Sequence, residues 1–204
     1  MNIEENANKF KEILRSTSRK GVENVIIGLE NLGFFQAPAS SKHHLAEAGG
    51  LVQHSLNVYC QADAIRTAQI HLDAKMAERL PQDSIIIASL LHDVCKAEIY
   101  KPVQKFRKNA EGRWENYPSW DFDYSYCPLG HGEKSVIRLL RMGLDMTSDE
   151  IAAIRWHMAG WDLSDSREAK ENFSKACDMY PLLPALIAAD ELATRITENT
   201  NGNN

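Results

Sequence analysis

The most constraining feature of this sequence is a nearly unbroken apolar run at residues 85–91 that ends abruptly in His92 and Asp93. Apolar side chains occupy every face of this stretch, so residues 83–97 are predicted to form a helix that is buried on most sides. An ionised carboxylate at the end of such a helix costs several kcal/mol unless a cation compensates its charge. Imidazole beside carboxylate is a ligand pair for a divalent transition metal. The junction therefore predicts a metal site in the core if the rest of the chain supplies more ligands.

Length and charge narrow the class of protein. The chain has 204 residues, of which 44% are hydrophobic, and this predicts one domain with a substantial core. The formal net charge is -5 and no dense basic cluster occurs, which argues against duplex DNA as a partner. A short nucleotide held through metal ions is compatible with this charge, because the ions themselves supply positive charge.

Two features predict a cytoplasmic protein that is not embedded in a membrane. No apolar stretch approaches the roughly 18–20 residues of a transmembrane helix, and the first residues do not resemble a signal peptide. The cysteines are widely scattered and form no Cys-x-x-Cys pair; they are Cys60, Cys95, Cys127 and Cys177. This spacing argues against a disulfide framework or a zinc ribbon and indicates a reducing compartment.

The periodicity of the chain predicts a mostly α fold, a single-domain helical bundle with a small β-hairpin excursion. Helices are predicted over residues 3–16, 20–32, 51–71, 73–79, 83–97, 130–142, 148–159 and 181–197. Thr147 and Glu150 form a capping-box pattern at the start of one of them. Residues 1–42 are interpreted as an N-terminal helical extension packed on a core of residues 43–198, and residues 199–204 as a disordered tail.

The segment 100–128 departs from the helical pattern. It holds eight of the sixteen aromatic residues of the chain. Residues 103–108 and 113–117, separated by a polar turn at 109–112, predict a β-hairpin. Two interpretations of this insertion remain open: a satellite core, or a lid whose aromatic side chains stack on a flat ring of the substrate.

Six residues of metal-ligand type lie within or beside predicted helices whose apolar faces point inward. They are His54, His92, Asp93, His131, His157 and Asp190. Side chains from facing helices build metal sites in the cores of helical bundles. Sets of imidazole and carboxylate ligands suit Fe, Mn, Zn or Ni and do not suit Ca or Mg.

The motifs around these residues resemble those of the HD-domain metal-dependent phosphohydrolase superfamily, over residues 43–195. They read Gly49-Gly-Leu-Val-Gln-His54, Leu90-Leu-His-Asp-Val-Cys-Lys96, Gly130-His-Gly-Glu-Lys-Ser135, Arg155-Trp-His-Met-Ala-Gly160 and Ala188-Ala-Asp190. The minimal signature of the family falls on His54, His92, Asp93 and Asp190. The additional histidines, His131 and His157, are typical of the branch with a binuclear centre.

The resemblance is strongest to the HD domain of certain bacterial 3′–5′ exoribonucleases, with two differences. Cys95 stands where many relatives have glycine. The nucleic-acid-binding β-barrel of those enzymes has no room in this chain, which favours a small phosphorylated substrate over processive RNA degradation.

The resemblance implies two divalent transition-metal ions (Mn, Fe, Zn or Ni) bridged by Asp93. One ion would also take His54, His92 and Asp190, and the other His131 and His157. The implied reaction is hydrolysis of a phosphomonoester or phosphodiester, of a nucleotide or short oligonucleotide, by a metal-activated hydroxide. Asp93 and Lys96 are the candidate catalytic residues. Lys96, four residues after His92 on the predicted helix, would also contact the substrate phosphate.

His44, together with its neighbour His43, is a candidate for substrate binding, because both precede the first ligand helix. Several of these residues also have purely structural interpretations. His92 and Asp93 would form a hydrogen-bonded pair without metal, His54 would be a hydrogen-bonded core histidine, and Lys96 would be a solvated helix end. Asp190 has a similar alternative, as an acid on a helix surface.

Two other functions fit the same residues. A mixed-valent di-iron oxygenase would use the same ligands, and a non-catalytic HD-like binding module would keep the fold alone. A homodimer is compatible with the sequence, which does not specify the oligomeric state.

Overall fold

The computed structural model describes residues 2–123 and 128–199, and the fold of these residues is mostly α, as predicted. In chain order the helices are α1 (Ile3–Ser16), α2 (Val22–Asn31), α3 (Gly50–Leu72), α4 (Met76–Arg79), α5 (Gln82–Leu91), α6 (Lys96–Ile99), α7 (His131–Arg141), α8 (Ser148–Trp156), α9 (Arg167–Met179) and α10 (Leu182–Leu192). Short 3₁₀ turns occupy Phe34–Gln36 and Ala159–Trp161, and a π-helical turn, Ala193–Thr197, extends α10. Residues 200–204 of the predicted tail lie outside the described residues.

Helix α5 lies at the centre of the fold, in contact with α1, α3, α8 and α10. Every residue of α5 from position 84 to 91 is buried, which confirms the prediction drawn from its apolar faces. The predicted continuous helix over residues 83–97 is wrong, however, because α5 ends at Leu91. His92 to Cys95 form a tight turn, in which the Lys96 N–H donates to the Asp93 carbonyl oxygen at 2.9 Å. This i→i+3 geometry breaks the α-helical repeat between α5 and α6.

The N-terminal helices lie against this core. Phe10 of α1 packs against Phe34 and Phe35, with ring centroids 5.3 and 5.5 Å away. Between α1 and α2, the Arg19 guanidinium donates two hydrogen bonds of 3.0 Å to the carboxylate of Glu150, which is buried at the start of α8. This bidentate pair links the N-terminal segment to the start of α8.

The capping box predicted at the start of α8 is present. The Glu150 N–H donates to Thr147 Oγ1, and the Thr147 N–H donates to a carboxylate oxygen of Glu150. Two N–H groups that a helix start leaves without intrahelical partners are thereby satisfied.

Replacing Thr147 with alanine should therefore lower the free energy of unfolding by about 1 kcal/mol. For a protein of this size the melting temperature should fall by about 2–4 °C. Thermal unfolding followed by circular dichroism measures this. Ser148→Ala, at the exposed neighbouring position, is the matched control and should leave the melting temperature within about 1 °C. Equal melting temperatures for the two variants would contradict the role of the cap.

The predicted β-hairpin is present and longer than expected. Strand β1 (Tyr100–Lys108) pairs antiparallel with β2 (Trp114–Phe122). Asn109 Oδ1 closes the turn by accepting from two backbone N–H groups. Phe106 and Trp114 are mostly exposed, so the outer part of the hairpin is not a satellite core. Two aromatic residues of the predicted insertion, Tyr124 and Tyr126, lie outside the described residues.

Helix α9 was not predicted, and it begins where the Ser166 side chain accepts from the Ala169 N–H. Of its thirteen residues only Ala176 is buried, and Phe173 and Cys177 pack partly against the core, so its apolar face is narrow and lies within a mostly polar segment. In the described part of the chain no helix has both the length and the apolar character that crossing a membrane requires. The cysteines described in the structure, Cys60, Cys95 and Cys177, are free thiols.

Candidate metal centre

Asp93 lies at the centre of a group of buried histidines. Its Oδ2 atom lies 3.3 Å from Nε2 of His92 and 3.6 Å from Nε2 of His54. Its Oδ1 atom lies 3.5 Å from Nε2 of His157. None of these four residues is more than 3% exposed. Helix α3, the turn after α5 and the end of α8 thus bring four of the six predicted ligands together around one carboxylate.

The other ring nitrogen of each histidine is held by an acceptor. Nδ1 of His92 and Nδ1 of His157 each donate to the backbone carbonyl oxygen three residues earlier, at 2.9 and 2.8 Å. Nδ1 of His54 lies 3.1 Å from both carboxylate oxygens of Glu198. Carbonyl and carboxylate oxygens only accept, so in each neutral ring Nδ1 carries the proton and Nε2 carries the lone pair. The three lone pairs point towards Asp93.

Four buried polar atoms at this point have no hydrogen-bond partner among the described residues. They are Nε2 of His54, Nε2 of His92, Nε2 of His157 and Oδ1 of Asp93. Buried polar atoms in folded proteins are nearly always paired, so four unpaired atoms in one place indicate a missing partner. A metal ion fits this need, because it accepts lone pairs from neutral imidazole and carboxylate alike.

Asp190 of α10 adds a second carboxylate to this group of histidines, next to His54. Its Oδ1 atom lies 3.3 Å from Nε2 of His54. Ligand atoms of His54, His92 and Asp93 lie within 4.8 Å of one another, and so do those of His92, His157 and Asp190. These buried groups could hold a metal ion, and they contain five of the six predicted ligands.

The charges around the site favour a bound cation. Burial by itself lowers the pKa of His54, but the neighbouring carboxylates of Asp190 and Glu198 outweigh burial and raise this pKa to about 9, so the ring holds a second proton at neutral pH that a metal ion would displace. Burial by itself raises the pKa of Asp93, but the charges of Lys96 and His92 outweigh burial and hold this pKa well below its usual range. The carboxylates are therefore ionised at neutral pH, and their negative charge attracts cations to the imidazole nitrogens.

Lys96 lies at the site, but on a different helix from the predicted one. The predicted helix that would carry both His92 and Lys96 is absent, because α5 ends at Leu91. Instead Lys96 begins α6, and its Nζ atom lies 2.6 Å from Oδ2 of Asp93, with 13% of its side chain exposed. Burial by itself lowers the pKa of Lys96, but the charge of Asp93 outweighs burial, and the pKa is raised above its ordinary value. Lys96 is thus a mostly buried cation beside the candidate ligands, not a solvated helix end.

A cavity of about 750 Å³ opens over these residues. Its wall includes His43, His44, Lys96, His157, Trp161 and Asp190. His44 faces the candidate metal ligands, with its ring centroid 5.2 Å from that of His54, and burial lowers its pKa to about 4. Among the described residues, none from the hairpin 100–123 lines this cavity. The role of the hairpin as a lid stays a prediction.

His131, the first residue of α7, is the predicted ligand that lies outside these groups. It belongs to none of the ligand groups found among the described residues. Its Nδ1 atom lies 3.4 Å from Sγ of Cys95, and the ring is half-buried. Burial lowers the pKa of His131 while the charge of Asp93 acts in the opposite direction. Coordination by His131 therefore stays a prediction.

The sequence analysis missed Glu198, which is 6% exposed and bonded to His54. Eight residues of uninterrupted α-helix after Asp190 would turn Glu198 away by about 80°. The Glu198 N–H instead donates to the Ala193 carbonyl oxygen at 2.9 Å, an i→i+5 bond. The wider π-helical turn takes up about one residue and returns Glu198 to the side of Asp190. An acid just after the polar last turn of a helix carries no signal of this kind in the sequence.

Comparison of the chain with protein-family models, with curated proteins and with solved structures gave no match. The resemblance to the HD-domain superfamily therefore depends on the motifs alone and stays a prediction.

Proposed function

We propose that this protein is a metal-dependent phosphohydrolase of the HD-domain type, which cleaves a small phosphomonoester or phosphodiester, such as a nucleotide or short oligonucleotide. One observation carries the proposal: three buried imidazole Nε2 atoms without hydrogen-bond partners converge on the ionised carboxylate of Asp93. Divalent ions held there would supply positive charge to phosphate oxygens and lower the pKa of water.

The residues of this chain have separate tasks in the proposed reaction. Asp93 directs its two oxygens to opposite sides, with His54 and His92 near Oδ2 and His157 near Oδ1. This division of contacts supports the prediction that Asp93 bridges two ions. Two ions are the finer part of the proposal, and the second of them would need His131.

Lys96 and His44 lie on the cavity wall, next to the ligands, and would bind the substrate. In the structure the Lys96 ammonium neutralises Asp93. Metal ions bound to Asp93 would neutralise its charge instead, and Lys96 would then be free to donate to a phosphate oxygen. Such a donor stabilises the charge that develops on phosphate in the transition state.

The experiment that tests the proposal combines metal analysis with a substrate screen. Protein purified without chelator should contain about two Mn, Zn or Ni ions per chain, as expected for a two-metal site. It should hydrolyse p-nitrophenyl phosphate, bis(p-nitrophenyl) phosphate, nucleotides or short oligonucleotides, and a chelator should stop the reaction. Absence of bound metal and of any metal-dependent hydrolysis would contradict the proposal. Iron with a visible absorption band and O₂ consumption would favour the oxygenase.

Replacing Lys96 with methionine should lower kcat/KM by roughly 100-fold, as expected for loss of one donor to transition-state charge. The metal content should be retained, because the imidazole and carboxylate ligands are unchanged. Lys96→Arg, which keeps the positive charge, should recover part of the loss. Steady-state kinetics on a p-nitrophenyl phosphoester and elemental analysis of the same samples provide the measurement. Wild-type kcat/KM in Lys96→Met would remove Lys96 from the mechanism.

A further inference from the structure

The three histidines that surround Asp93 differ in what holds their Nδ1 atoms. His92 and His157 each donate to a backbone carbonyl three residues earlier, so their orientation is fixed within their own helical turn. His54 instead donates to Glu198, which is 144 residues away in the sequence. The orientation of His54 therefore depends on where the C-terminal turn of the chain is packed.

Glu198 is itself held by a directional chain of hydrogen bonds. The Asn6 side-chain amide donates to Gln53, the Gln53 amide donates to Asn57, and the Asn57 amide donates to Glu198, each at 2.8 Å. Every donor in this series points towards Glu198, so the carboxylate is the acceptor at which the series ends. Its remaining acceptor capacity faces Nδ1 of His54.

We propose that Glu198 is a positioning residue, which fixes the ring of His54 in the tautomer that presents Nε2 to a metal ion. Carboxylates that accept from the distal N–H of a ligand histidine orient the ring and make it a better ligand. Glu198 also lies near His44, whose Nε2 atom is 3.9 Å from Oε2 of Glu198. One carboxylate thus orients a metal ligand and faces a residue of the substrate cavity.

A direct metal-ligand role for Glu198 is less favourable. Ligand atoms of His44, His54 and Glu198 do lie within 4.8 Å of one another. An ion bound among them through Nδ1 of His54, in addition to an ion on Nε2, would require the ring to lose both of its protons. In addition, one Glu198 oxygen already accepts from the Asn57 amide. The hydrogen-bonding role uses the observed contacts without removing any of them.

This inference rests on the metal centre of the proposed function and not on the reaction. The test therefore measures Zn²⁺ affinity and stoichiometry of chelator-treated protein, by competition with a chromophoric chelator. Glu198→Ala should weaken Zn²⁺ binding by up to about 100-fold, and the neutral isostere Glu198→Gln by about 10-fold, with stoichiometry unchanged. In the Zn²⁺-loaded protein, the NMR signal of the His54 Nδ1 proton should be lost in Glu198→Ala, while those of His92 and His157 remain.

The matched control is Glu150→Gln, since Glu150 is also a buried carboxylate but belongs to the Arg19 ion pair. That variant should lower the melting temperature and leave Zn²⁺ affinity unchanged. Wild-type affinity in both Glu198 variants would overturn the inference while the metal centre stands. Loss of one bound ion in Glu198→Ala would show a direct ligand and would also overturn it. Glu198-dependent Zn²⁺ binding without any phosphoesterase activity would uphold the inference and contradict the proposed function.

Discussion

Replacing Asp93 with alanine should abolish metal binding and turnover together. The carboxylate is 1% exposed and lies between His54, His92 and His157, within 3.6 Å of an Nε2 atom of each. Without it the site keeps the imidazoles and Asp190 but loses the carboxylate at its centre. Phosphoesterase activity should fall by at least about 10³-fold, which corresponds to about 4 kcal/mol of transition-state stabilisation. Elemental analysis and kinetics on the same sample measure both losses, and full metal content with full activity would contradict the assignment.

A second effect of the Asp93 substitution must be separated from the first. Asp93→Ala leaves the mostly buried Lys96 ammonium without its partner at 2.6 Å. Breaking a buried ion pair from one side costs about 3 kcal/mol or more. The double variant Asp93→Ala/Lys96→Met removes both charges and should recover most of the melting temperature without recovering metal. A double variant that bound metal like the wild type would show that Asp93 is not a ligand.

Replacing Gly132 with alanine should lower the free energy of unfolding by at least about 3 kcal/mol, because α7 packs on α8 at this residue without space for a side chain. A Cβ atom at Gly132 would overlap the backbone carbonyl oxygens of Ile154 and Arg155. Backbone atoms in a helix cannot yield as a flexible side chain can, so α7 would have to move away from α8. His157 follows directly after α8, so this movement should also weaken metal binding.

Chemical denaturation and a Zn²⁺ titration of Gly132→Ala measure the two effects. Gly160→Ala is the matched control for stability, since a Cβ atom there meets no other atom within 4 Å. Its free energy of unfolding should stay within about 0.5 kcal/mol of the wild type. Equal stabilities for the two glycine variants would contradict the close packing of α7 on α8.

Much of the fold could be predicted because the signals are local. The apolar faces of α5, the Thr147–Glu150 capping box and the polar turn of the hairpin all act over a few neighbouring residues. The end of α5 at Leu91 was predicted wrongly, because residues 92–95 have side chains compatible with a helix and form a tight turn instead. Helix α9 was missed because its apolar face is narrow, with Phe173, Ala176 and Cys177 at helical spacing within a mostly polar segment.

For the candidate site, the sequence by itself determined the ligand types and the buried segments that carry them. His54, His92, Asp93, His157 and Asp190 could be named because polar residues in apolar helices are costly unless something binds them. Only the tertiary structure decided which atoms face one another, that Lys96 neutralises Asp93, and that His131 lies beside Cys95. It also decided that Glu198 supports His54 across 144 positions of sequence. The physical reason is range: burial and periodicity are local properties, whereas hydrogen bonds between distant segments depend on how the helices pack.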